Sequence, residues 1–589
     1  MNDKEMRKTF LHAGLLMGAL MASLAPQPAV AGRYSPKVRQ TAIPRVTLMP
    51  DLPDTYRMID WKAKARSFDA YVFDWHNNGK LGPFIWLDDH RRNIDQTTFG
   101  LYTAVADVRQ GPDHNGGEFH EALTSLSALL GAGLVGIDKT RQDGYNYVKM
   151  VQNYFNCANG WNIMMNNTNP QVAHLGGGYG RDWWYDVLPN ALYYAVSDVF
   201  PGVSGAEGIL RSIAEQFCKA DSVLNGNYDY SYFDYGRMRG GRSQIPYQQD
   251  AAGGHAYVLL CAYHKFGDLR YLRHSESATE ALLSQKESRF YEALLPLGVY
   301  TAAYLNATQG KHYDTDKLLN WVFDGCQSPT GRTGWGIITG KWGRYDVDGL
   351  QGSTTDGGGY AFLMNSIKPL WPFVPMVKYA PQYAATIGKW VLNDASACRL
   401  FFPGYIDERN QWAAEYRDIT GNHIAYEGLR KADDYGMHWL RGVSPVAIGD
   451  GPKWIAGNPT LSMMSVYSTA PIGILGGIID TTDVSGILRL DCNATDFYAP
   501  RPYPVYLVYN PDPTEQSITW ESHVACDLFD VVAQDYVARG LRPGQRIAIP
   551  AKSARLIYQL PCGTKLTRKG GRIIAAGRHV IYYGPTKIK

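Results

Sequence analysis

Apolar residues recur through the middle of the chain with the period of a helix. Phe119, Leu123, Leu126 and Leu130 follow at steps of four, three and four, and Ile209, Leu210, Ile213 and Phe217 mark a second stripe. Tyr147, Val148, Val151, Tyr154 and Phe155 mark a third. Each stripe leaves a polar side, so these segments are predicted to lie on the outside of a helical array. Ala256 to Tyr263 and Tyr360 to Met364 are instead apolar nearly all round. A helix without a polar face must be enclosed by its neighbours. Enclosed and half-exposed helices alternating from about residue 110 to 450 point to two concentric layers.

Near the end the pattern shortens. Tyr503–Tyr509, Gln516–Trp520, Arg546–Ile549 and Ala554–Tyr558 are β-type runs, separated by turn formers such as Asn510-Pro511-Asp512-Pro513 and Pro543-Gly544. Strands at this spacing predict a small antiparallel sandwich. The expected organisation is a signal peptide (1–31), a mixed N-terminal segment (32–110), a helical domain (111–465) and a β-sandwich domain (466–589).

The signal peptide rests on a basic stretch (Lys4, Arg7, Lys8), an apolar run from Leu11 to Leu24, and the small residues of Ala29-Val30-Ala31. That order predicts cleavage near Ala31 and a secreted or periplasmic protein. The run is shorter than the ~20 residues that cross a bilayer, and no later segment is long and apolar enough, so no membrane span is expected. Lys and Arg number 58 against 55 Asp and Glu. Losing Lys4, Arg7, Lys8, Asp3 and Glu5 with the signal leaves a net charge of about +2, without the basic excess of a nucleic-acid binder. Eight cysteines are scattered without a C-x-x-C pair, which removes zinc-ribbon and thioredoxin-type readings. Their pairing is left open, although Cys261, in an apolar helix, reads as a buried hydrophobe. Nothing in the sequence speaks to oligomeric state.

Forty Tyr, 15 Trp and 61 Gly accompany only 19% charged residues. Tyr and Trp join an apolar face to a polar tip, which suits surfaces that stack on sugar rings and bond their hydroxyls. Glycine-rich openings precede several apolar runs: Asp113–Phe119, Gly176–Asp186, Asp250–Tyr257 and Asp356–Phe362. With parallel inner helices these openings would gather around one mouth, where glycine lets the backbone approach a ligand closely. This arrangement resembles the secreted (α/α)-toroid glycoside hydrolases and polysaccharide lyases, in which a helical barrel precedes a β-sandwich. The resemblance is architectural and covers most of residues 110–560. It implies a mainly α fold, an (α/α)6-toroid-like helical barrel followed by a small C-terminal antiparallel β-sandwich. It also implies a glycoside hydrolase acting on a poly- or oligosaccharide.

Glycoside hydrolysis needs two carboxyl groups, one to protonate the leaving oxygen and one to attack or to activate water. Asp182 and Asp186 stand four apart in Arg181-Asp182-Trp183-Trp184-Tyr185-Asp186, on one face if the helix has begun. Trp183 and Trp184 are placed to stack on a sugar and Arg181 to bond it, though helix capping alone explains Asp182. Asp250 and Asp356 each precede a Gly pair and an apolar run, with Tyr247, His255 and Tyr257 near the first. Glu427, between Tyr426 and Arg430, reads as a carboxylate held by a cation. Trp335 and Trp342 lie in a Gly-rich loop suited to sugar contacts. Two alternatives stand beside this reading. One is a polysaccharide lyase acting on a uronate with a Tyr or His base, drawn from His255 and Tyr257 or from His423, Tyr426 and Arg430. The other is a non-catalytic glycan-binding protein. No H-E-x-x-H, Walker loop or G-x-S-x-G occurs, which lowers metalloprotease, nucleotide and esterase readings. No cofactor or metal is expected; the Asp229 to Asp234 loop allows calcium without requiring it.

Overall fold

Helices and antiparallel sheets share one continuous hydrophobic core in the computed structural model. It describes residues 34, 36–245, 247–325, 334–353, 359–413, 420, 422–432 and 440–585. The helices that frame the core are α1 (Trp61–Val72), α2 (Ala122–Leu134), α3 (Trp184–Val199), α4 (Ala206–Leu224), α5 (Ala251–Phe266) and α6 (Leu269–Ser284). They continue with α7 (Leu295–Gln309), α8 (Thr315–Asp324), α9 (Leu370–Met376), α10 (Ala384–Cys398) and α11 (Ile472–Ile478). Contacts run from α2 to α3, α5, α7, α9 and α11 and back to α2, a closed cycle. Helices α4 and α6 lie against α5, α8 against α7, α10 against α9, and α1 against α11 and α2.

Small residues let the cycle close. A Cβ on Gly473 of α11 would stand 2.1 Å from the Gly131 carbonyl oxygen of α2, and one on Gly253 of α5 would stand 3.1 Å from Gly298 Cα of α7. The glycines after Asp250 therefore serve helix packing. The stripe of Ile209 to Phe217 falls in α4 with its polar side exposed, as its pattern predicts. The stripe of Phe119 to Leu130 does not lie outside: α2 is buried from Ala122 to Ala132. Its polar positions are the small Thr124, Ser125 and Ser127, which bury readily, and Ser125 Oγ bonds the Tyr154 hydroxyl at 3.1 Å. Residues 147–155 form one α turn and a 3-10 turn, both buried.

Tyr360 to Met364 is not one helix. Tyr360–Phe362 is a strand in a five-stranded antiparallel sheet made of β1 (Trp335–Ile337), β2 (Gln351–Ser353), β3 (Tyr360–Phe362), β4 (Gly428–Arg430) and β5 (Val446–Ile448). The strands pair in sequence order. Each has three residues, too short for an alternating signal to show.

The C-terminal part is antiparallel. Its strands are β6 (Ile479–Thr481), β7 (Leu488–Asp491), β8 (Val505–Asn510), β9 (Gln516–Thr519), β10 (Cys526–Asp530), β11 (Asp535–Leu541), β12 (Arg546–Ile549) and β13 (Ser553–Pro561), followed by a separate three-stranded sheet of Leu566–Lys569, Arg572–Ala575 and His579–Tyr582. Six form one sheet in the order β6-β7-β8-β13-β10-β11, and β9 pairs with β12. Side chains alternate across a strand, and here the alternation feeds two cores. Leu507, Tyr509, Leu556 and Tyr558 join the helical core, whereas Val508 and Ile557 join a second cluster with Ile518 and Trp520. Beneath this sheet Asp496 accepts bonds from Lys378 Nζ (2.7 Å), Tyr379 (2.8 Å) and Tyr300 (2.5 Å). Residues 32–110 supply α1 and an antiparallel pair, Ile85–Asp88 with Thr98–Leu101. No helix among the described residues is long and apolar enough to cross a membrane.

Candidate active site

The residues before α2, α3 and α7 meet the five-stranded sheet around a cavity of about 520 Å³, within the roughly 300–1,000 Å³ of ordinary small-molecule sites. Glu121 precedes α2, Asp182 and Tyr185 flank the start of α3, and Glu292 precedes α7; Glu427 stands just before β4. Tyr467 and Asp450 complete the ring of polar groups.

Glu427 is half-buried and lines the cavity. Burial first, and the Asp450 carboxylate second, hold its carboxyl well above the ordinary glutamate value. The Asp450 backbone N–H donates to Glu427 Oε2 at 2.6 Å, and Asp450 is itself bonded by Arg430 Nη2 at 3.1 Å. Arg430 in turn lies over the Tyr360 ring at 4.4 Å. Glu121 accepts bonds from Thr103 Oγ1 and Asn166 Nδ2, both at 3.1 Å, and burial pushes its carboxyl up to about 7 against the pull of Arg109.

Glu292 differs from both. Its φ of 68° is in the left-handed region, where a non-glycine residue persists only when its surroundings enforce it. Gln351 Nε2 donates to its carbonyl and Asn365 Nδ2 to its Oε2, each at 2.6 Å. Asp250 Oδ2 accepts the neighbouring Tyr291 N–H at 3.2 Å. The buried Lys368 ammonium is in the field of Glu292, and burial pulls its titration down to about 7. Its Nζ has no hydrogen-bond partner among the described residues. The Tyr185 and Tyr467 phenols, both in the field of Glu121 and Glu292, are kept neutral donors by burial.

Of the residues singled out from sequence, Arg181, Asp182, Trp184, Trp335, Glu427 and Arg430 line this cavity. Asp182 Oδ1 accepts from Gln248 Nε2 at 2.7 Å. The others lie elsewhere. Helix α3 starts at Trp184, so Asp182 is outside it, while Asp186 points into the packed ring and is fully buried. Trp183 is a core side chain stacked between Tyr228 and Phe233. His255 is buried, bonded to the Tyr235 hydroxyl at 2.8 Å, and its imidazole is pushed down to about 3 by burial. Tyr257 is buried with its hydroxyl accepting from Trp371 Nε1 at 3.0 Å, and Trp342 is buried away from the cavity. Tyr247 lies outside the cavity with Arg242 over its ring at 4.7 Å. Asp250 is buried, does not cap α5, and positions the backbone beside Glu292. Asp356 lies outside the described residues.

His423, named for a lyase, stacks on Tyr71 away from the cavity, and Tyr426 is fully buried outside it. Asp229 and Asp234 face Arg242 and Arg237, and no group of three His, Cys, Asp or Glu suited to a metal occurs among the described residues. The cysteines among them are free thiols. Sequence reasoning missed Glu121, Glu292, Asp450 and Tyr467; Glu121 stands two residues beyond the Asp113–Phe119 opening and was passed over there, and the other three follow no such opening. It passed over Tyr185 inside a cluster it had marked.

No family model and no curated protein matches the chain. Among solved structures it is similar to a GH127 β-L-arabinofuranosidase from Geobacillus stearothermophilus T6, at 11% identity over 88% of this chain and 84% of that one, with a TM-score of 0.34. A second GH127 β-arabinofuranosidase aligns at 10% identity over 89% and 83%, TM-score 0.34. A third structure, described as a glycoside hydrolase, aligns at 9% over 77% and 76%, TM-score 0.35. Likeness at this level establishes neither a shared fold nor a shared activity, so the functional reading rests on the cavity's own residues.

Proposed function

We propose that the protein is a glycoside hydrolase acting on an oligo- or polysaccharide, with Glu427 as proton donor and Glu292 as the ionised partner. The closed cycle of α2, α3, α5, α7, α9 and α11, flanked by outer helices, is read as an (α/α)6 toroid, and the C-terminal strands as its β-sandwich. The basic, apolar and small-residue order of the first 31 residues supports export to the periplasm or the exterior.

One observation carries the reading: two glutamates face the same cavity with different partners. Glu427 is half-buried beside Asp450, whose carboxylate and the partial desolvation favour the protonated acid that donates to a departing glycosidic oxygen. Glu292 accepts from the Asn365 amide and lies in the field of Lys368, which favours the carboxylate. In the reaction the Glu427 proton passes to the leaving oxygen as the bond to the anomeric carbon breaks. Glu292 attacks that carbon or takes a proton from the water that does. Tyr185 and Tyr467 are neutral O–H donors for sugar hydroxyls.

The test is turnover of aryl glycosides that vary in sugar and leaving group. Glu292→Gln is expected to lose about 10²–10⁴-fold in kcat. Glu427→Gln is expected to lose a similar factor on poor leaving groups and far less on dinitrophenyl glycosides, which need no proton. Parental turnover in both folded variants would overturn the assignment.

A further inference from the structure

Trp454 stands apart from the other aromatics of the site. Trp184, Trp335 and Tyr467 are all buried, yet Trp454 is 57% exposed. The other large hydrophobics exposed to this degree among the described residues are aliphatic. An indole left in water forgoes the gain that burial would bring, and nothing in the packing of the described residues requires it there. Trp454 ends the short helix Gly451–Trp454, immediately after Asp450, and lines the same cavity as Glu292 and Glu427. The ring is also steadied. The Arg181 guanidinium sits 5.2 Å from its centroid, and Arg181 Nη1 donates to the Gly176 carbonyl at 3.2 Å. With one side of the indole against Arg181 and more than half of its surface in solvent, the opposite face is open.

A held, open indole at the rim of a polar cavity matches the apolar C–H face of a sugar ring. The charges around it narrow the class of sugar. Arg109 is paired with Asp107 at 2.6 Å, Arg430 with Asp450, and Arg181 is engaged by Trp454 and a carbonyl. Among the described residues, two of the three cavity arginines are thus paired with carboxylates and the third is held by a ring and a carbonyl, an arrangement that suits a neutral ring better than a uronate.

We propose that Trp454 forms an outer subsite on which a second ring of a neutral oligosaccharide stacks while the first occupies the cavity. The inference rests on the glycosidase reading only for what happens to the first ring. Calorimetric titration of the full-length protein with neutral gluco-, xylo-, arabino- and manno-oligosaccharides of one to four units, and with uronate oligomers of the same lengths, tests it. For at least one neutral series, affinity should rise from one unit to two. Trp454→Ala should abolish that rise, weakening binding of the longer members about tenfold, and Trp454→Phe should restore most of it. Longer members bound equally well by Trp454→Ala, no gain with length in the parent, or stronger binding of the uronates would overturn it. Absence of any binding would overturn it together with the glycosidase reading. Loss of the length effect in Trp454→Ala, without hydrolysis of any glycoside by the parent, would leave the subsite standing and remove the glycosidase reading alone.

Discussion

Asp186 and Glu427 both carry carboxyls held above the usual range, but only Glu427 faces the cavity. Neither oxygen of Asp186 has a hydrogen-bond partner among the described residues, and burial, with Asp182 and Asp234 nearby, pushes its carboxyl far above the usual range. An acid raised in this way stabilises the fold only while protonated. Its contribution is complete below the unfolded value near 3.8 and is lost as pH rises toward the folded one. Asp186→Asn has no proton to lose, so relative to the parent it should gain about 1–3 kcal/mol between pH 4 and pH 8, read from urea midpoints. A difference that does not change with pH would contradict the burial of a neutral acid. The i to i+4 spacing of Asp182 and Asp186 pointed to the right neighbourhood, but it could not show that the helix begins at Trp184 and so divides the pair. Glu427 was legible because Tyr426 and Arg430 flank it, although Arg430 Nη2 donates to Asp450. Glu292 left no mark in Phe290-Tyr291-Glu292-Ala293. What distinguishes it is a backbone angle and partners from residues 351 and 365, and neither is local.

At the scale of elements, glycine has opposite meanings in two helices. Gly473 of α11 faces the backbone of α2 at the contact that closes the inner cycle. A methyl group there meets a carbonyl oxygen that cannot move without its helix. Gly208 of α4 is exposed, with nothing near its Cβ position. Thermal or urea unfolding should show Gly473→Ala destabilised by about 3 kcal/mol or more, and Gly208→Ala stabilised by about 0.5–1 kcal/mol. A harmless Gly473→Ala would mean that the α2–α11 contact is looser than described. Periodicity read the outer face of α4 correctly because its polar residues are large and charged. It misread α2, whose polar residues are small hydroxyls, and it had no purchase on strands of three residues.

For the whole molecule, the layered helical middle and the β-rich end were legible from the change in hydrophobic period. The closure of the helices into a cycle was not legible from the period and entered only through the architectural resemblance, since it depends on contacts between residues as far apart as α2 and α11. Export was read from the first 31 residues alone, and the measurement that checks it is the mass of the protein recovered outside the cytoplasm. A chain beginning at Gly32 is expected; retention of the full leader, or of the protein in the cytoplasm, would refute it. The sheet of β6–β8, β10, β11 and β13 carries a further consequence. One of its faces belongs to the helical core, through Leu507, Tyr509, Leu556 and Tyr558, and Asp496 ties Lys378, Tyr379 and Tyr300 together beneath it. An appended module joined by a linker can be exchanged between enzymes or trimmed away. This sheet has no such freedom: it is a wall of the helical body, and any minimal fragment designed to fold must keep it.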